Sequence, residues 1–236
     1  MIRFGIAVFP GTWSDTDCHY VVADILGQQA EYVWHRETDL GSYDCVIIPG
    51  GFSYGDYLRP GAMASLSPVM DALRGYANAG GLVIGICNGF QVLCEAGLLP
   101  GALLRNQHLE YRCQWTNLRT ERDDTPFSRR CHRGQILRVP VSHGEGNYFA
   151  DEATLDRLEQ EGRVLFRYCD TLGEATEPSN PNGSSRNIAG IINEAGNVLG
   201  MMPHPERSCE ALLGSEDGNL IFQSIIDSHS NGLGAR

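Results

Sequence analysis

The chain contains no lysine; all 18 of its positive residues are arginine. Without a lysine amine there is no Schiff-base chemistry and no Walker-type phosphate loop. Any ATP chemistry linked to this protein, with its Mg, is therefore expected on another chain. A G-x-G-x-x-G run is missing too, so a dinucleotide is not implied. No two of the eight cysteines stand at Cys-x-x-Cys spacing, which removes the signal for a zinc or redox pair, and no metal is expected. No apolar run approaches the ~20 residues that span a bilayer. The amino terminus, Met1-Ile2-Arg3-Phe4-Gly5-Ile6-Ala7-Val8, lacks a long apolar region with a cleavage site and is stopped by Pro10-Gly11. It reads as a first strand, and a cytoplasmic protein is expected. The formal net charge of −11 argues against nucleic acid or an anionic membrane as partner.

What is present suits a globular enzyme. The 236 residues, 42% of them hydrophobic, fit a single domain over 1–236. A cytoplasmic protein of this size needs no disulfide, so most cysteines read as small buried hydrophobes. Residues 4–8, 31–35, 45–48 and 82–86 read as apolar strands, alternating with helices at 14–26, 72–77 and 89–96. That alternation predicts an α/β fold, a doubly wound and mostly parallel sheet with helices on both faces. The second half changes character. Strands are expected at 111–119, 136–142, 164–168, 188–192 and 198–202, with helices at 153–161 and 218–227. These give a small antiparallel addition. The polar segment 171–186 is long enough for a functional lid, and 228–236 is expected to fray.

Gly85-x-Cys87-x-Gly89 lies between an apolar strand and a helix, the strand–turn–helix elbow that presents a nucleophile. A side chain there projects from the carboxyl edge of the sheet, and the helix starting at Asn88 favours thiolate over thiol. Taken alone, the pattern equally describes a buried structural cysteine. His204-Pro205-Glu206 changes the balance. Histidine titrates in the range a thiolate nucleophile needs from its proton carrier, and a carboxylate two residues on can hold the second ring nitrogen. Gly50-Gly51-Phe52-Ser53-Tyr54-Gly55-Asp56 follows a buried strand directly. Its Gly51 amide and the Asn88 amide would make an oxyanion hole, worth about 3–4 kcal/mol per donor. Asp56 could cap a turn or take part in the chemistry.

Taken together, Gly50-Gly51-Phe52-Ser53-Tyr54-Gly55-Asp56, Cys87-Asn88-Gly89-Phe90-Gln91, Arg105-Asn106, Val141-Ser142-His143-Gly144-Glu145-Gly146 and Met202-Pro203-His204-Pro205-Glu206-Arg207 resemble the class I (triad) glutamine amidotransferases along nearly the whole chain. The resemblance implies Cys87, His204 and Glu206 as catalytic triad, glutamine as substrate and a γ-glutamyl thioester as intermediate. It implies substrate binding by Gln91 and the backbone around Ser142 and His143. One branch of that family passes ammonia to a large ATP-dependent synthetase subunit, joined by a small bridging subunit. That complex converts formylglycinamide ribonucleotide to formylglycinamidine ribonucleotide in de novo purine biosynthesis. The sequence departs from the branch at Trp13-Ser14, where Asn-Cys is frequent, in a loop expected to face the partner.

His143 lacks a carboxylate two residues on and is expected to shape the pocket; His19, His35, His108, His132 and His229 have no constellation around them. Eight arginines against four acids between Arg105 and Arg138 make a positive segment in an acidic chain, a candidate docking face at Arg129 and Arg130. Two other readings stay open on residues alone. A peptidase-like Cys-His hydrolase would commonly place histidine after the cysteine, where this chain has Asn88. A non-catalytic scaffold would lack one of Cys87, His204 and Glu206, and all are present.

Overall fold

The computed structural model describes residues 1–230. In chain order the elements are β1 (Arg3–Val8), α1 (Asp15–Tyr20), β2 (Gln29–Trp34), β3 (Cys45–Ile48), α2 (Pro68–Asn78), β4 (Leu82–Ile86), α3 (Asn88–Glu95), β5 (Ala102–Leu104), β6 (Arg112–Thr120), β7 (Ile136–His143), β8 (Asn147–Phe149), α4 (Glu152–Gln160), β9 (Val164–Cys169), β10 (Ile188–Ile192), β11 (Val198–Met201) and α5 (Gly218–Ser230). Nine strands form one sheet in the order β2-β1-β3-β4-β11-β10-β9-β6-β7. The five strands from β2 to β11 pair in parallel, and the four from β10 to β7 pair antiparallel.

Strand sequence follows position in this sheet. The central β3, β4 and β11 are buried at every residue, as strands covered on both faces must be, and they are almost wholly aliphatic. At the edge, β2 keeps only Val33 buried and carries polar and aromatic residues outward. The crossovers through α1 and α2 run in opposite directions along the sheet, so right-handed connections put these helices on opposite faces. On the α2 face, Arg74 Nε donates to the Ala96 carbonyl just past α3 at 3.3 Å. Among the described residues no helix is long and apolar enough to cross a membrane.

Local departures from expectation have visible causes. The first helix is α-helical only to Tyr20; Val21–Ile25 winds as a π turn, with Leu26 N donating to Val21 O at 2.9 Å. α2 starts earlier than expected because Ser67-Pro68 is a helix start, with proline at the first position. α4 is capped by Asp151, whose Oδ1 accepts from Thr154 N at 2.7 Å. β5 and β8 form a separate two-stranded sheet that the sequence did not announce. The segment 171–186 is no free lid: Asn182 is fully buried in it and Ser184 nearly so. Of the tail expected to fray, 228–230 close α5, and 231–236 lie outside the described residues.

Candidate active site

The loops leaving β1, β3, β4 and β11 meet at the carboxyl edge of the parallel strands, where open α/β sheets receive ligands. Cys87 leaves β4 with φ 51° and ψ −104°, a region that costs a side chain about 1–3 kcal/mol and persists only when its surroundings impose it. The surroundings do so. The Cys87 amide donates to Met201 O of β11 at 2.8 Å, and α3 begins at the next residue. A Cβ on Gly85 would stand 2.7 Å from the Gly89 backbone, and one on Gly89 1.9 Å from Ile48 O. Both glycines are therefore required by close approach, the first of helix to strand and the second of α3 to β3.

His204 follows β11 and is anchored through its amide, which donates to Pro140 O at 2.8 Å. Its Nδ1 lies 2.6 Å from Glu206 Oε1, and both side chains are buried. Nε2 is buried without a fully formed hydrogen bond, beside the Cys87 sulfur. Burial opposes a charge on this ring, but the Glu206 carboxylate and the Cys87 sulfur beside it outweigh it and hold His204 well above the ordinary histidine range. Gly50 makes room for the imidazole, since a Cβ there would come within 2.7 Å of His204 Cε1.

These groups open onto a cleft of about 410 Å³, in the range of small-molecule sites. Gly51, Gln91, Ser142 and His143 line it with Cys87 and His204. Gly51 has φ 147°, and among the described residues its amide donates to no acceptor; nor does the amide of Asn88. Asn88 does not itself line the cleft. Its side chain fixes the neighbours, Oδ1 accepting from Ser53 N at 3.1 Å and Nδ2 donating to Gln91 Oε1 at 2.8 Å. The Gln91 amide nitrogen donates to Glu145 O at 2.6 Å. Ser142 turns its carbonyl to the Cys87 sulfur at 3.6 Å and its hydroxyl to Tyr111 at 2.8 Å. His143 is turned into the protein, with Nδ1 3.1 Å from Asn106 Oδ1 and Nε2 3.4 Å from Asn182 Nδ2. Burial first, then the positive charge of His204, lowers His143 to about 4.

Further residues join the site, some quoted in the sequence without a role and some, such as Asn182, without any signal there. Asn106 also donates to His143 O and accepts from Gly146 N, so it fixes the whole turn after β7. Asn182 donates to Gly146 O from the other side. At the Trp13-Ser14 departure, Ser14 is buried and its Oγ accepts from Arg207 Nη2 at 3.1 Å, while Trp13 stays exposed at the cleft rim. Asp56 and Pro60 also line the cleft. Among the described residues no group of three or more His, Cys, Asp or Glu is arranged to hold a metal ion. The arginine-rich segment is more neutral than its count suggests. Arg119 and Arg122 pair with Glu121 and Asp124, and Arg130 pairs with Asp227 from α5.

Similarity to known proteins runs along nearly the whole chain. A family model described as CobB/CobQ-like glutamine amidotransferase domain matches residues 2–219. A curated relative from Moorella thermoacetica, phosphoribosylformylglycinamidine synthase subunit PurQ, is 56% identical over 99% of this chain and its own full length. A protein of the same name from Salinibacter ruber is 55% identical over 95% of this chain and 96% of its own. Among solved structures, a chain of PurLQS from Thermotoga maritima superposes with a TM-score of 0.85 at 41% identity, covering 97% of this chain and all of that one.

Proposed function

The chain belongs to the CobB/CobQ-like glutamine amidotransferases, and we propose on that premise that it is the glutaminase subunit of a phosphoribosylformylglycinamidine synthase. Supporting this are two relatives of that name that match almost end to end, and the neighbour in a PurLQS structure. The observation that carries the chemistry is the strained Cys87 beside a buried His204–Glu206 pair at 2.6 Å.

In this mechanism the Cys87 thiolate attacks the γ-carboxamide carbon of glutamine. The oxyanion accepts hydrogen bonds from the Gly51 and Asn88 amides, which have no other acceptor among the described residues. Protonated His204, its charge supported by Glu206, gives its Nε2 proton to the departing amine, and ammonia leaves with a γ-glutamyl thioester on Cys87. Neutral His204 then takes a proton from water as the water oxygen attacks the thioester. Expulsion of the thiolate releases glutamate and restores the starting ion pair. Gln91 and the Ser142–His143 backbone hold the rest of the substrate.

Ammonia then passes to a large synthetase subunit that uses ATP and Mg to convert formylglycinamide ribonucleotide to formylglycinamidine ribonucleotide, with a small bridging subunit completing the complex. The absence of lysine supports ATP binding on that partner. The unbroken nine-stranded sheet supports one domain, and eight unbridged cysteines support a reducing, cytoplasmic setting. The test is Cys87→Ala in the complex reconstituted with candidate synthetase subunits. Glutamine-dependent turnover should fall at least about 10³-fold while ammonia-dependent turnover stays within about twofold. Retained glutaminase activity in that variant overturns the assignment of the nucleophile.

A further inference from the structure

Gly50 and Gly51 have no side chains to hold the peptide between them, and glycine turns about its backbone at little cost. Yet that peptide decides which group faces an oxyanion formed at Cys87. Turned one way it offers the Gly51 N–H; turned the other way it offers the Gly50 carbonyl, an acceptor that repels the charge. Its direction is imposed from the loop between β1 and α1. The Gly50 carbonyl accepts from two amides at once, Trp13 N and Ser14 N, each at 3.0 Å. A planar trans peptide opposes N–H to C=O, so a carbonyl drawn to the start of α1 turns the Gly51 N–H away from that helix. Gly50 stands beside the nucleophile, since a Cβ there would lie 3.4 Å from the Cys87 Cβ. The two loops pack backbone to backbone: Phe52 N donates to Gly11 O at 2.9 Å, and a Cβ on Gly51 would meet Trp13 N at 2.5 Å.

From this geometry we infer that Ser14 is a positioning residue: with the Trp13 amide it clamps the Gly50 carbonyl, and so keeps the Gly51 N–H aimed at the oxyanion. The inference rests on the glutaminase reading and names what holds one donor of that reaction in place. Ser14 is suited to the task because it is itself fixed. It is buried, its carbonyl accepts from Cys18 N at 3.0 Å in the first turn of α1, and its Oγ accepts from Arg207 Nη2 at 3.1 Å. Arg207 is held in turn, its Nε donating to Asp17 Oδ2 at 3.1 Å. The loop before Ser14 is tied to β1, with Thr12 N donating to Phe9 O at 3.0 Å and Thr12 Oγ1 accepting from Phe9 N at 2.8 Å. Two donors on one carbonyl also polarise the whole amide, which makes the Gly51 N–H the stronger donor when charge develops.

The test deletes the Ser14 N–H and leaves its side chain. A synthetic segment 1–17 carrying an ester in place of the amide at residue 14 is ligated to the rest of the chain at Cys18, beside an all-amide control made the same way, and both are assayed in the reconstituted complex. The ester should lower kcat for glutamine about 10- to 100-fold, part of what removing an oxyanion donor costs, with KM changed by less than about threefold. Ser14→Ala, which frees Ser14 from Arg207 but keeps the amide, should lower kcat about 3- to 10-fold with the same KM pattern. A second readout isolates the oxyanion. Iodoacetamide alkylates a thiolate by displacing iodide from a saturated carbon, so no oxyanion forms. Its rate at Cys87, followed by mass spectrometry, should stay within about twofold in both variants. An ester chain with unchanged kcat overturns the inference. So does alkylation slowed as much as turnover, which means that Ser14 acts on Cys87 itself, or a matching rise in KM, which means that it shapes the cleft. Cys87→Ala assayed alongside separates the two readings. If it silences glutamine use while the ester changes nothing, the glutaminase stands and only the role of Ser14 falls.

Discussion

Two histidines share one buried wall of the cleft and are driven in opposite directions. His204 is held charged by Glu206 and the Cys87 sulfur beside it, whereas His143 meets only amides and the repulsion of His204 and stays neutral. The difference has a consequence for stability against pH. An unfolded His143 binds a proton near 6.5, but the folded one resists until about 4. Between those values the unfolded chain holds more protons, so stability contributed by His143 is complete above 6.5 and is lost as pH falls toward 4. From pH 7 to pH 5 that loss is about 2 kcal/mol. Replacing His143 by Gln, which cannot titrate, should flatten the decline in urea-unfolding free energy over this interval by about that amount, whatever the offset at pH 7. Parallel profiles for the two proteins would show that His143 titrates normally.

At the scale of elements, the elbow depends on how closely α3 approaches β3. Gly89→Ala would drive a methyl into the Ile48 carbonyl at 1.9 Å, a backbone atom that cannot step aside. A loss of about 3 kcal/mol or more is expected, because α3 carries Cys87 at its head and has to shift. Gly75 gives the contrast. It is exposed within α2, and nothing lies within 4 Å of an added Cβ. Gly75→Ala should therefore stabilise by about 0.5–1 kcal/mol through helix propensity alone. Thermal unfolding of both variants checks the pair. These glycines also show why part of the site was legible in the sequence. Gly85, Cys87 and Gly89 act within one strand–turn–helix, so their spacing carries their meaning, and His204 and Glu206 likewise sit two residues apart. Asn182 reaches His143 across 39 residues and Arg207 reaches Ser14 across 193, contacts that leave no local pattern. β5 and β8 escaped for a related reason: three residues are too few for a period, and each is held by the other across a long excursion of chain.

For the molecule as a whole, the placement of the cleft bears on where a synthetase docks. A partner that captures ammonia released at Cys87 has reason to cover the mouth of the cleft. The mouth is bordered by Trp13 and Phe52, whose loops are joined by the Thr12–Gly51 bridge, and Tyr57 and Leu58 lie exposed further along the same loop. Unpaired aromatic and aliphatic side chains around a site are what a protein partner buries as hot spots. Arg129 stands elsewhere: it lines a hollow with Leu82 and Asn197, at the amino ends of β4 and β11. That is the far edge of the sheet, where Leu82 lies about 16 Å along β4 from Cys87 at the strand rise of ~3.3 Å per residue. Arg130 is already paired with Asp227. Arg129 and Arg130 thus lie on the edge away from the cleft, although the same segment brings Tyr111 to the cleft wall and Arg105 to Glu145. Trp13→Ala and Tyr57→Ala should each raise the dissociation constant for the synthetase about 10-fold or more, and Arg129→Glu by less than about threefold, measured by titration calorimetry at fixed salt. The reverse ranking would return the docking face to the arginines and leave the rim aromatics without a partner.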